Sequence, residues 1–219
     1  MSLDKESIAV QMARCANTNQ LSPSDQPGNL IVITGPSGVG KGTLVERLLG
    51  GVPCIKRSVS VTTREKRPGE EEGIDYFFRT PEEFKRLADE NTFMEWAEFA
   101  GNFYGTPKQW VEQQLLLGQD IILEIEVQGA KQVKVRCPDA VLIFLSPPSF
   151  EELESRLRRR GTESPEKLAL RLKKAMQELG ERDLFHYEVV NDIVEEAVND
   201  LLHIVYSERC RIRPDRPTA

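Results

Sequence analysis

The apolar positions of this chain fall into two textures. Continuous runs at "NLIVITG" from Asn29, "IILEI" at 121–125 and "AVLIFL" at 140–145 read as strands buried on both faces, with a shorter run, "YEVVN", near 187. Between them, apolar residues at helical spacing predict helices over Lys41–Gly51, closed by Gly50 and Gly51, and over Pro107–Leu117, Gln128–Arg136, Ser149–Arg159, Ser164–Glu181 and Ile193–Ser207. Strands alternating with helices predict an α/β fold, a three-layer sandwich with a parallel core sheet covered on both faces.

From about Ser58 to Tyr104 the pattern changes. Short half-polar pieces, "SVSVTT", "IDYFF", "FMEWAEF" and "NFYG", suit a small mixed or antiparallel insertion with one face in water. Met1 to about Gly28 is polar and ends in "LSPSDQPG", which reads as a disordered tail, and 209–219 reads as a second tail. One domain over 29–208 is the expectation, since 219 residues suffice for a real core without a second full domain.

The formal net charge of -6 gives no overall basic field, so a nucleic-acid backbone is not an expected partner. Four cysteines, Cys15, Cys54, Cys137 and Cys210, show no metal-binding spacing and read as reduced thiols. No run reaches the roughly 20 apolar residues that span a bilayer, and none near the start suits a signal peptide, so the expected location is the cytoplasm, without membrane association. Oligomeric state is left between monomer and small homo-oligomer.

The strongest chemical signal is "GPSGVGKG" at 35–42, between a buried strand and a helix. It fits the P-loop through Gly35, Gly40 and Lys41. Glycines let successive N–H groups turn toward one anion, the helix N-terminus adds partial positive charge, and a lysine reaches the outer phosphates. Gly35, Pro36, Ser37, Gly38, Val39, Gly40, Lys41, Gly42 and Thr43 are therefore the candidate ATP-binding residues. Gly42 stands where the common pattern has Ser or Thr for Mg²⁺, so either Thr43 or water takes that place; water is favoured, since Mg²⁺ keeps several waters readily.

The pieces "SVSVTTREKRPGEEEGIDYFF", "FMEWAEFAGNFYGTP", "LEIEVQGA", "FLSPPSFEELESRLRRRGTES" and "RLKKAMQEL", in this order, resemble guanylate kinase from about Asn29 to Ser207. The resemblance implies a sheet core, a GMP-binding insertion at about 58–106 and a helical lid at about 157–176. It implies transfer of the γ-phosphoryl group of ATP, with Mg²⁺, to GMP and to dGMP. On this resemblance Arg64, Arg67, Tyr76 and Tyr104 bind the GMP phosphate, and guanidinium forks do suit phosphate oxygens. Taken alone, Arg64, Lys66 and Arg67 would equally make a solvated basic turn.

By the same resemblance, Glu95 is the guanine-binding carboxylate, with Ser60 and Thr106 as hydroxyl partners. Guanine offers two N–H donors beside an acceptor, and adenine reverses that edge. Each buried polar group left unpaired costs about 1–3 kcal/mol, so two faults supply roughly 10²- to 10³-fold discrimination. Glu124 and Glu126 are expected on one side of a strand end by period-two alternation. The family often has Asp at the second position, beside the acceptor nucleoside; Glu126 is one methylene longer.

Phosphoryl transfer asks chiefly for positioning and charge neutralisation. Lys41 and Arg64 are assigned to this, and the resemblance adds Arg156, Arg160 and Arg171 from the lid, while Arg158 and Arg159 are expected in solvent. Asn191 is read either as a residue near the acceptor or as a helix N-cap. His186, His203, Trp96 and Trp110 are read as structural. Two rival readings are a peptide-binding scaffold that no longer transfers phosphate, and a kinase of AMP or UMP.

Overall fold

The structure is a computed structural model that describes residues 26–159 and 165–213. In chain order it contains β1 (Leu30–Thr34), α1 (Lys41–Gly51), β2 (Ile55–Arg57), β3 (Val61–Thr62), β4 (Phe77–Phe78) and α2 (Pro81–Asp89). There follow β5 (Phe93–Phe99), β6 (Asn102–Pro107), α3 (Lys108–Leu116), β7 (Asp120–Glu124), α4 (Val127–Arg136) and β8 (Val141–Ser146). The chain closes with α5 (Phe150–Arg159), α6 (Pro165–Leu179), a 3₁₀ turn at Arg182–Leu184, β9 (Tyr187–Val190) and α7 (Val194–Arg209).

The core sheet is parallel throughout, in the order β2-β7-β1-β8-β9. Its strands alternate between two apolar layers, as period-two geometry requires. Leu30, Val32, Ile121 and Leu123 pack with Val111, Ala130 and Val133 on one side. Ile31, Ile33 and Ile122 pack with Leu44, Leu48, Leu201 and Val205 on the other. Burial on both faces is why these strands read as unbroken apolar runs.

The predicted α1 forms over Lys41–Gly51, with Gly50 and Gly51 as its last residues, and Val52 caps it by donating its N–H to Leu48 O at 3.1 Å. Strand β2 was not predicted; three residues with Lys56 and Arg57 give no apolar run.

The insertion forms a second sheet, ordered β4-β3-β6-β5. It is mixed: β3 pairs β4 in parallel, while β6 pairs β3 and β5 antiparallel. It also contains α2, for which the apolar pattern predicts no helix. Thr80 Oγ1 accepts from Glu83 N, and Glu83 Oε2 accepts from Thr80 N, a capping box with Pro81 at the first turn. Phe84 from α2 stacks on Phe93 and Phe103 and supplies the centre of a small satellite core.

The expected tail boundaries differ from the packing. Gly28 N already donates to Leu115 O at 2.8 Å. At the other end, Arg209 Nε pairs with the buried Asp120 at 2.6 Å and its Nη2 donates to Pro53 O. Arg213 pairs with the buried Glu208 and reaches Asp139 O, so 209–213 are fastened to the domain. Residues 1–25 and 214–219 of the expected tails lie outside the described residues.

Candidate active site

Strand β1 delivers the chain to the glycine loop, and α1 begins at Lys41. Gly40 has φ 99, and a Cβ there would stand 2.5 Å from Asn191 Nδ2. Only glycine meets both conditions. Asn191 Nδ2 donates to Val39 O at 2.7 Å, bracing the loop from β9. Asn191 is therefore not the N-cap of α7, a position held by Ile193, but a support of the phosphate loop.

Lys41 Nζ donates to Gly35 O at 2.6 Å, which folds the lysine along the loop. Ser37, Gly38, Gly40, Lys41, Gly42 and Thr43 line a cavity of about 550 Å³. Gly35 and Pro36 lie behind it as carbonyl acceptors of Lys41, and the Val39 side chain is buried in the core.

The opposite wall of the same cavity belongs to the small sheet: Ser60, Arg64, Arg67, Tyr76, Glu95 and Tyr104 line it, with Glu126 from the core. Arg64 Nη2 pairs with Glu70 at 2.7 Å, and its guanidinium lies 5.3 Å from the Tyr76 ring centroid. The hydrogen bond to Glu70 raises the Arg64 pKa, and the Arg64 bond holds the Glu70 carboxyl below the ordinary range. Glu70 Oε2 also accepts from Arg67 N, so one carboxylate organises both arginines. Burial raises the Tyr76 phenol, keeping it a protonated donor.

Glu95 sits opposite Thr106 in the β5–β6 register, after an irregularity between Phe93 and Glu95. Thr106 Oγ1 donates to Glu95 Oε1 at 2.6 Å. Thr106 is fully buried behind Glu95 and off the cavity wall, which differs from its expected direct place beside the base. Burial pushes the Glu95 carboxyl up to about 7, against the lowering effect of the Thr106 bonds. A Cβ at Gly129 on α4 would overlap Glu95 Oε2, so this glycine makes the room in which the carboxylate lies.

Glu124 ends β7, whereas Glu126 has left the strand and is the N-cap residue of α4. The expected period-two relation is thus not what brings them together, yet both line the cavity. Burial raises the Glu124 carboxyl, opposed by Lys41. At Glu126 burial also acts upward, but Lys41 and Lys174 outweigh it and hold the carboxyl low.

Arg171 lines the cavity from α6. Arg156 does not: its Nε pairs with Glu152 at 2.8 Å and its Nη1 donates to Asn191 O at 3.0 Å, the loop-bracing residue. Its nearest service to the phosphate loop is therefore indirect. Arg160 lies outside the described residues. Arg158 and Arg159 are exposed and pair with Glu154 and Glu152.

Sequence reading missed Glu70, Gly129, Ser58 and Phe99, the first and the last two of which line the cavity. "GEEEG" holds three acids with nothing to single out the first, and the demand on Gly129 comes from a strand more than 30 residues away.

A parallel sheet ending in a glycine loop, faced across one cavity by a second lobe that presents Arg64 and Arg67, defines the class: a P-loop α/β protein of the nucleoside monophosphate kinase type. The family model described as guanylate kinase matches residues 27–208. A guanylate kinase of Synechococcus sp. (strain JA-3-3Ab) is 54% identical over 184 residues, covering 84% of this chain and 85% of that protein. One from Desulfitobacterium hafniense (strain Y51) is 51% identical over 186 residues, covering 85% and 93%. The crystal structure of guanylate kinase from Anaplasma phagocytophilum matches with TM-score 0.71 at 35% identity, covering 85% of this chain and 88% of that one. The chain belongs to the guanylate kinase family, a family of nucleoside monophosphate kinases. No helix among the described residues is long and apolar enough to cross a membrane.

Proposed function

We propose that this chain transfers the γ-phosphoryl group of ATP to GMP, and to dGMP, giving ADP and the corresponding diphosphate. The observation that carries this reading is the single cavity lined at one end by the glycine loop and Lys41 and at the other by Arg64, Arg67 and the buried Glu95. Two anions meet end to end there. A phosphate oxygen of GMP, already anionic near neutral pH, attacks the γ-phosphorus; the bond to the β–γ bridging oxygen breaks, and ADP leaves with that electron pair. No general base is assigned.

Lys41 and the loop amides hold the triphosphate of ATP, and Arg64, Arg67, Tyr76 and Tyr104 hold the GMP phosphate. Ser60 and Glu95 read guanine, with Thr106 orienting Glu95. Glu126 lies beside the acceptor nucleoside. Arg171 neutralises charge as it develops on the transferring group, and Arg160 is assigned with it to a lid at about 157–176 that excludes water, while Arg156 acts through Asn191 behind the phosphate loop.

Mg²⁺ fits as a companion of ATP. Gly42 contributes no side-chain oxygen, Thr43 lines the cavity, and a cation that binds largely through phosphate and water needs no protein cage. Water, with Thr43 as the alternative ligand, would hold it, and when bound it would supply neutralisation of phosphate charge. A domain over 29–208, a cytoplasmic location and a monomer or small homo-oligomer complete the reading.

The test is a side-by-side assay of ADP formation with ATP, Mg²⁺ and each common nucleoside monophosphate. GMP should exceed AMP by roughly 10²- to 10³-fold in kcat/KM. Equal rates would defeat the base assignment, and no GMP-dependent turnover would defeat the enzyme reading.

A further inference from the structure

Lys174 on α6 stands where three parts of the molecule meet. Its Nζ lies 3.1 Å from Glu126 Oε2 at the start of α4 and 3.5 Å from Glu178 Oε1, one helical turn further along. The same ammonium lies 4.0 Å from the ring centroid of Phe99, the last residue of β5 in the acceptor lobe. Arg171, which lines the cavity, is one turn before Lys174 on the same face of α6.

Glu178 completes the cluster in an unusual setting. It is 6% exposed, and its Oε2 has no hydrogen-bond partner among the described residues. A buried carboxyl is retained against its desolvation cost only where something holds it. Here Lys174 holds it, with Nζ 3.5 Å from Glu178 Oε1. Burial, followed by repulsion from Glu126, pushes the Glu178 carboxyl up to about 7, while Lys41 and Lys174 hold Glu126 low.

We propose that Lys174 and Glu178 are positioning residues that clamp α6 to Glu126 and to Phe99, so that the placement of Arg171 is tied to the placement of the acceptor lobe. Neither residue lines the cavity. Their work is to set the distance between the helix that carries Arg171 and the region that carries the acceptor, and transfer is steep in that distance. The neighbouring Lys173 is exposed and takes no part. The clamp rests on the phosphoryl-transfer reading above.

Steady-state kinetics of Lys174→Met, Glu178→Gln, Glu178→Leu and the control Lys173→Met, beside wild type, tests it. Lys174→Met should lower kcat and kcat/KM together by roughly tenfold or more, the signature of an interaction realised in the transition state. Glu178→Gln should stay within about twofold of wild type, because its amide oxygen still accepts from Lys174, whereas Glu178→Leu, which removes that acceptor, should match Lys174→Met. In Lys174→Met combined with Glu126→Gln, the loss should be smaller than the product of the single losses, because both charges are gone. Wild-type kcat in Lys174→Met, multiplicative losses in the double variant, or Glu178→Gln as damaging as Glu178→Leu each overturn the clamp. Should Glu178→Leu fail to fold, the Lys174→Met and Glu178→Gln results decide alone. Wild type without GMP turnover removes the reading beneath the clamp and the clamp with it; an active wild type with indifferent variants removes the clamp only.

Discussion

The core sheet and the acceptor lobe are built from one chain by opposite means. The sheet buries its strands on both faces between two large apolar layers, so its loop and its lysine stand on a rigid base. The acceptor lobe has one thin satellite core, with only Val61, Phe84 and Phe93 buried in it. Fewer buried contacts mean a lower free energy of local opening. The difference assigns tasks: triphosphate geometry belongs to the stiff part, and acceptor choice to the part that can yield. Glu95 lies at their seam, on β5 of the lobe but against Gly129 of the core helix α4.

The largest effect expected of this contrast is on stability. Ile122→Ala in the sheet should cost about 2–5 kcal/mol in urea unfolding and weaken binding of an unhydrolysable ATP analogue with it. Phe84→Ala removes more side chain, yet its loss should concentrate in a raised KM for GMP, with analogue affinity kept within about twofold because the lobe opens on its own. If Phe84→Ala weakens analogue binding as much as Ile122→Ala does, the two regions unfold as one and the contrast fails.

At the seam, Gly129→Ala should displace Glu95 and reduce the preference for GMP over AMP by roughly 10²-fold, since one polar mismatch of about 1–3 kcal/mol appears on each side of the base. Competition kinetics with the two monophosphates measures this, and an unchanged ratio would show that Glu95 does not need that space.

The smallest effect is graded by pH. Glu95 is pushed up to about 7 in the ligand-free protein. Guanine N–H donors require its ionised form, so GMP affinity should strengthen as pH rises to about 7 and level above it, weakening by up to about tenfold per unit below. The ligand-free protein moves oppositely: the stability tied to a neutral Glu95 is present in the acid range and is lost as pH rises through about 7. The GMP phosphate titrates near 6 as well, so the difference between wild type and Glu95→Gln isolates the carboxylate. A slope that survives Glu95→Gln unchanged would assign it elsewhere.

The same contrast explains what could be read from the chain. Strands β1, β7 and β8 were legible because burial on both faces leaves an apolar run, and the glycine loop because its spacing is itself the mechanism. Helix α2 was not, since a single buried Phe84 gives no periodicity; the local signal for it is the Thr80–Glu83 box in "TPEE". Glu126 was placed by alternation along a strand that in fact ends at Glu124. Asn191 reaches Val39 across 152 positions, and Lys174 reaches Glu126 across 48, contacts that only the tertiary fold creates. Local chemistry was therefore readable residue by residue, and the bracing behind it was not.

The most direct measurement is calorimetric titration of wild type, Lys41→Ala and Arg67→Ala with a guanosine and an adenosine joined through a polyphosphate chain. One such molecule should bind per protein, should exclude ATP and GMP together, and should lose affinity in both variants. Binding that still admits free GMP, or that ignores either substitution, would show that the two ends of the cavity do not serve one reaction.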